Sequence, residues 1–215
     1  MNTSVSVRPN GAVPPSPATE PLIRLIEADS APLLLRDLFA GGDPGPIVAA
    51  LAQVPELCQA ALPFLGAALG PSLVPIRHKE IAILRTSALL GCRYCVDAHT
   101  VVAADVGFGP DELGALRCEL DPIGRITDPV EAAVLGWVDV VAAGHGALTD
   151  SAEVAAEAAA RRLLTDHALV ELTVTIGTTM LLNRFATALR LPTSPDTLQR
   201  LAALGLADWC QGASR

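Results

Sequence analysis

The chain has 215 residues, 51% of them apolar, with 15 Lys and Arg against 23 Asp and Glu, a formal net charge of −8. That length suits one good-sized domain or two small ones. The acidic balance, with no Lys/Arg cluster and Lys79 as the sole lysine, argues against a nucleic-acid-binding surface. A mean hydropathy of +0.42 raises the membrane question. Yet no run of about 18 uncharged apolar residues is present, as a spanning helix requires; the best candidate, "ALVELTVTIGTTMLLNRF", carries Glu171 and Arg184.

Residues 1–20, "MNTSVSVRPNGAVPPSPATE", are rich in Pro, Ser and Thr and lack an apolar stretch. This composition predicts a disordered tail rather than a secretory signal, and hence a cytoplasmic protein. From residue 21 to the end the pattern predicts a single all-α domain. Apolar residues recur every three or four positions in 20–39, 46–69, 77–91, 128–145, 151–190 and 196–210. The β-branched stretch "ELTVTIGTT" is read as helix despite its strand propensity. Asp43-Pro44, Asp128-Pro129 and Asp150-Ser151 are starting signals, and Gly41-Gly42 and Pro192 are stops.

Shifting the chain by 91 residues lays 80–99 on 171–190, which predicts an internally repeated helical segment. Glu80 then falls on Glu171, Cys92 on Asn183, Arg93 on Arg184 and Tyr94 on Phe185. Only the first copy carries thiols and a histidine. On this reading Asn183 and Arg184 would line the same cavity as the thiols.

The chemistry concentrates in "GCRYCVDAHT", residues 91–100. On a helix, Cys92, Cys95 and His99 share one face. Gly91 is a natural break, which puts Cys92 in the first turn, where backbone N–H groups and the helix dipole favour a thiolate. His99, one turn beyond Cys95, can share or remove its proton. Two thiols three residues apart can also close a disulfide, which points to attack by one sulfur and capture by the other. Glu80 lies among Ile81, Ala82, Ile83 and Leu84, where a carboxyl should be hard to ionise and able to pass protons near neutrality. The alternative for Glu80 is a solvated acid at a helix start, after Arg77, His78 and Lys79.

Other readings of the motif stand beside the redox dithiol. Zinc would need a fourth ligand, which Glu80 could supply; two buried packing cysteines are a further possibility. A c-type haem site is excluded because Val96, not histidine, follows the second cysteine. Five cysteines without an export signal argue against a disulfide framework. Cys58, Cys118 and Cys210 are read as packing or surface thiols. His145 and His167 are read as structural, and Asp97 as a solvated side chain on another face.

The segment "KEIAILRTSALLGCRYCVDAHTVVAADVGFGPDEL" resembles the carboxymuconolactone decarboxylase superfamily, specifically its alkyl hydroperoxidase D-like (AhpD-like) branch. The resemblance rests on Glu80, Cys92-x-x-Cys95 and His99, with "VELTVTIGTTMLLNRFATALRLP" similar to the second helical segment of that family. It covers roughly 48–195. It implies an all-α homotrimer or homohexamer that reduces hydroperoxides through its thiols, without a cofactor or metal. It also implies that Cys95 attacks the peroxide, that Cys92 resolves it, and that Glu80 and His99 relay protons. A dihydrolipoyl group on a partner protein is the implied reductant. Where the family pattern has a second histidine this chain has Tyr94, whose phenol can donate a hydrogen bond but is a poor base. The alternative function is a lactone-processing lyase, which does not need the CxxC pair, or a ligand-binding or metal-binding helical oligomer.

Overall fold

The computed structural model describes residues 20–143 and 150–209. The expected N-terminal tail, His145 and Cys210 lie outside them, Glu20 excepted. Two short 3₁₀ turns, Ala28–Ser30 and Leu33–Leu35, precede α1 (Arg36–Phe39) and α2 (Pro46–Leu51). Helices α3 (Pro55–Leu69), α4 (Ile76–Leu89), α5 (Arg93–Asp105) and α6 (Pro110–Leu116) follow. The chain then forms α7 (Pro129–Ala143), α8 (Asp150–Leu163), α9 (Asp166–Leu189) and α10 (Pro195–Ala203). No strand occurs among the described residues, so "ELTVTIGTT" is helical, inside α9.

Local chemistry sets the boundaries. Proline occupies the first turn of α2, α3, α6 and α10, where its missing N–H costs no hydrogen bond. Asp128 caps α7 by accepting from the backbone N–H groups of Val130 and Glu131, at 2.8 and 2.9 Å. Thr165 caps α9 by accepting from Ala168 N at 3.2 Å, and so divides the long periodic run 151–190 into α8 and α9. The helical pattern expected over 20–39 is interrupted. Pro32 holds Ala31 extended (φ −60°, ψ 130°), so the segment becomes two 3₁₀ turns and a four-residue helix.

Helix α4 is the centre of the fold, packed against α5, α7 and α9. Ile81 and Leu84 meet Val96 of α5, Val134 and Val138 of α7, and Leu172 and Ile176 of α9 in the main core. Ile26, Leu35, Phe39, Leu51 and Cys58 form a second core, under the N-terminal segment. A third is built on Cys92, Cys95, Ala50, Ala186 and Leu191. None of the described helices is long and apolar enough to cross a membrane.

The two segments related by the 91-residue shift pack side by side, but their backbones diverge. Residues 80–99 bend at Gly91, whereas 171–190 run unbroken to Arg190. Their paired acids also differ in partner. Glu171 takes Lys79, which is fully buried, with Nζ 2.6 Å from Glu171 Oε1. Lys79 also donates to the carbonyls of Gly70 at 2.6 Å and Ala68 at 3.4 Å. Burial pushes the Glu171 carboxyl up, but hydrogen bonds from Lys79, Ser72 and His167 together hold it below the usual range.

A carboxyl whose folded-state pKa is depressed adds stability above the unfolded pKa and loses it as pH falls through the folded one. Lys79→Met should therefore cost about 3 kcal/mol at pH 7, because it removes the buried ammonium that is the closest partner of the Glu171 charge. In denaturant titrations the gap between wild type and variant should close as pH drops below the carboxylate range. A gap independent of pH would mean that lost packing, not lost charge pairing, is responsible.

Candidate active site

The break between α4 and α5 places the thiols. Gly91 takes the left-handed conformation (φ +68°), its N–H bonds to Ala88 O, and the Cys92 N–H bonds to Ser87 O at 3.0 Å. This is the six-to-one closure that ends a helix at glycine. The same residue, Cys92, is the N-cap of α5. Cys92 therefore stands at the amino end of a 13-residue helix, with Cys95 in the first turn and His99 one turn further on. Both thiols are free and buried, Cys92 at 1% exposure and Cys95 at 6%.

Glu80 is not solvated; it is 3% exposed, on the inner face of α4. Its Oε2 lies 3.0 Å from His99 Nδ1, so the carboxylate orients the ring and a proton can pass between them. The expected Glu80–His99 pair is thus assembled across α4 and α5. Among the described residues no group of three or more His, Cys, Asp or Glu side chains is arranged to hold a metal ion.

The electrostatics single out one sulfur. The Cys95 side chain does most to hold the Cys92 thiol down, and burial opposes it. The Cys95 backbone N–H, the Thr187 side chain and the charge of Arg184 add to the lowering, which brings Cys92 to about 6 against 9.0 for an ordinary thiol. The Cys92 sulfur makes no cap hydrogen bond of ordinary length, so the backbone acts on it at longer range. The Cys95 thiol is pushed up by the Cys92 side chain, by burial and by the Cys92 charge, while a contact with Asn183 works the other way. The directions favour ionisation of Cys92 over Cys95. This agrees with the dipole expectation for Cys92.

Tyr94 points into the same cluster. Burial, then the nearby Cys95 and Cys92 charges, push its phenol up to about 12, and a hydrogen bond with the Ile47 backbone opposes them. It is neutral at physiological pH and cannot replace a histidine as a base. A pocket of about 200 Å³ opens on Cys92, walled by Gly91, Tyr94, Thr187 and Leu191 among others; Cys95 is not part of its wall. Ile23, Leu25 and Ile47 of the N-terminal segment pack over the thiol cluster. That segment is tied down by Leu22 N to Leu189 O at 3.0 Å and Ile26 N to Ala49 O at 3.1 Å.

One expectation is corrected here. Asp97 is not solvated; it is 2% exposed and accepts from Arg93 Nε at 2.8 Å and Thr193 Oγ1 at 2.9 Å. Arg93 in turn donates to the carbonyls of Ala207 and Trp209, fixing the chain beyond α10 beside the thiol turn. Of the other thiols, Cys58 is buried in the second core, and Cys118 is half-buried with its Sγ 3.1 Å from Arg85 Nη1. His167 is exposed and sits 3.0 Å from Glu171. Thr187 escaped the sequence reading; its one signal is a spacing of four residues from Asn183, on the same face of α9.

Residues 55–140 match the model of the carboxymuconolactone decarboxylase family, a range that contains Glu80, both thiols and His99. Over this segment, two fifths of its length, the chain is similar to the carboxymuconolactone decarboxylase family. Its fold is AhpD-like. Among curated proteins none matches this chain. The fold is similar to that of an uncharacterized peroxidase-related protein from Silicibacter sp. TM1040 (TM-score 0.68, 16% identity, covering 87% of this chain and 97% of that one). It is also similar to a protein of unknown function from Agrobacterium tumefaciens named for the antioxidant defence protein AhpD (TM-score 0.58, 25% identity, 67% and 95% covered). A third similar structure is the debrominase Bmp8, as its C82A variant with 2,3,4-tribromopyrrole (TM-score 0.66, 16% identity, 86% and 98% covered). The segment 20–54 that covers the thiols lies outside the matched family range.

Alkylation by iodoacetamide, followed by peptide mapping, should show Cys92 reacting with a midpoint near pH 6. Cys95→Ala should move that midpoint upward, because it removes the largest influence holding the thiol down. An unmoved midpoint would assign the acidity to the helix end and Arg184 alone.

Proposed function

We propose that this protein is a thiol-dependent oxidoreductase of peroxidase type, which reduces small hydroperoxides with Cys92 and Cys95 and moves protons through Glu80 and His99. The observation that carries the reading is the pair of free, buried thiols at the start of α5, one held down near pH 6, with the Glu80–His99 pair on the adjoining turn. A thiolate attacks the outer peroxide oxygen, the O–O bond breaks, and the sulfur becomes a sulfenic acid. The leaving alkoxide takes a proton and departs as an alcohol. The second thiol then attacks the sulfenic sulfur, releasing water and forming the disulfide. Two electrons pass from the dithiol to the peroxide, and a second dithiol, for which a dihydrolipoyl group on a partner protein is suited, restores the starting state.

The family and the peroxidase-related, AhpD-named neighbours support this reading at the level of reaction class. Free thiols suit a reducing compartment, and on that ground we place the protein in the cytoplasm. An apolar stripe on the outer face of α9, Val170, Val174 and Leu181, beside Phe64 of α3, supports self-association, and the homotrimer or homohexamer is carried by the family resemblance alone. A lactone-processing lyase would need neither sulfur.

One equivalent of an organic hydroperoxide, added to reduced protein, should produce a Cys92–Cys95 disulfide much faster than a free thiol reacts. Glu80→Gln should slow this by roughly 100-fold, the usual worth of a positioned acid–base group. Slow or scattered oxidation in wild-type protein would overturn the proposal. Activity on a lactone that persists after loss of both thiols would favour the lyase.

A further inference from the structure

The chain carries 23 acidic residues against 15 basic ones, yet the entrance to the thiols is basic. The pocket of about 200 Å³ that opens on Cys92 has two arginines in its wall, Arg93 from the start of α5 and Arg190 from the C-cap of α9. Among the described residues no acidic side chain stands in that wall. Arg184 joins the two by helical phase. Arg184, Thr187 and Arg190 follow one another at intervals of three along α9 and its cap, so they edge one side of the helix, and Thr187 is itself part of the wall.

All three arginines are exposed. Asp97, the acid that pairs with Arg93, is 2% exposed, whereas the Arg93 side chain is 48% exposed, so that pair turns its guanidinium outward. Arg190 takes a left-handed conformation (φ 54°, ψ 47°), which glycine adopts with less strain. The chain thus keeps a cation where a bare backbone would fit more easily. The charge of Arg184 reaches Cys92. Asp43, whose charge reaches Tyr94, lines a separate cavity with Phe39 and Pro46. The rest of the thiol pocket is neutral, with Tyr94 and Leu191 in its wall. In such a recess a guanidinium acts on an anion through less water than on an open surface, and its planar fork fits a carboxylate.

We propose that this pocket selects a small hydroperoxide that carries a carboxylate, held at the Arg184–Arg190 edge while its O–O group reaches the thiols. This rests on the peroxidase reading and names the substrate class which that reading leaves open. The carboxylate is a handle and takes no part in the electron transfer. Two electrons still pass from the dithiol to the O–O bond, whichever sulfur attacks first, and the alkoxide leaves as an alcohol after gaining one proton. At about 200 Å³ the pocket is smaller than the roughly 300–1,000 Å³ of drug-sized sites, so the molecule it takes is small.

The test reads the charge of the pocket apart from the reaction. Iodoacetate and iodoacetamide are nearly equal in size and differ in charge. An ordinary thiolate repels the first and so reacts faster with the second. In reduced wild-type protein the iodoacetate-to-iodoacetamide rate ratio at the CxxC pair should be roughly 10-fold higher than in the unfolded chain. It should fall as salt is raised. Arg184→Gln and Arg190→Gln should each lower the ratio, in which any change of thiol ionisation cancels. With substrates, 2-hydroperoxy-2-methylpropanoate should form the Cys92–Cys95 disulfide roughly 10-fold faster than its methyl ester, and the double variant should erase the difference. A ratio equal to that of the unfolded chain and unmoved by salt would overturn the proposal. So would a carboxylate preference confined to re-reduction of the disulfide, read as dihydrolipoate against dihydrolipoamide, since the site would then serve the reductant. A protein that prefers iodoacetate but that no hydroperoxide oxidises would overturn the peroxidase reading, and the substrate with it, while leaving the basic pocket.

Discussion

The site depends on a single left-handed residue. Gly91 lets α4 close on itself and α5 begin at once, so Cys92 serves both as the last closing residue of one helix and as the cap of the next. Only glycine takes that conformation without strain. An uninterrupted helix would have sent the Cys92 N–H and carbonyl into ordinary helical bonds. The sulfur would then lie mid-helix, away from the free N–H groups that favour its ionised form. The comparison is built into the molecule: at the equivalent place α9 runs straight on, and there the chain carries Asn183 instead of a thiol.

Around this turn the protein places polar groups where burial makes them strong. Helix α4 is enclosed by other helices, yet it carries Lys79, Glu80, Thr86 and Ser87 inside. Each of Lys79, Glu80 and Ser87 has a fixed partner: Glu171 for the lysine, His99 for the acid, Asn183 and Ile83 O for the serine. In a dry interior such pairs hold one geometry, because any alternative leaves a buried group unpaired. Asp97 belongs to the same scheme. Through Arg93 it ties the thiol turn to the carbonyls of Ala207 and Trp209, so residues 207–209 are anchored beside the chemistry.

Much of this was legible in the sequence, and the limits have physical causes. The all-helical fold follows from periodicity, and the thiol turn from Gly91, because both are local signals. Glu80 and His99 could be picked out by residue type and spacing, but their 3.0 Å contact needed the crossing of α4 and α5. Asp97 was misread because helical phase gives a direction, not what lies there; Thr193, 96 residues away, makes its surroundings closed. Thr187 was missed for a similar reason, since a threonine in an apolar helix has no sequence mark of a sulfur beside it. The N-terminal segment was misjudged locally, where Pro32 breaks the pattern. Its place over the thiols was not legible at all, for it rests on contacts such as Leu22 with Leu189.

Lys79 has one more consequence. It is the only lysine of the chain, and it is fully enclosed, with its ammonium held by Glu171 and two carbonyls. The folded surface therefore presents no lysine amine to acetylation, ubiquitin transfer or amine-directed cross-linking. Its fixed positive charges are all guanidinium groups, which stay charged far above the range where amines neutralise. An anionic partner drawn to the positive charges of this surface meets planar, forked donors, which alkaline pH does not discharge.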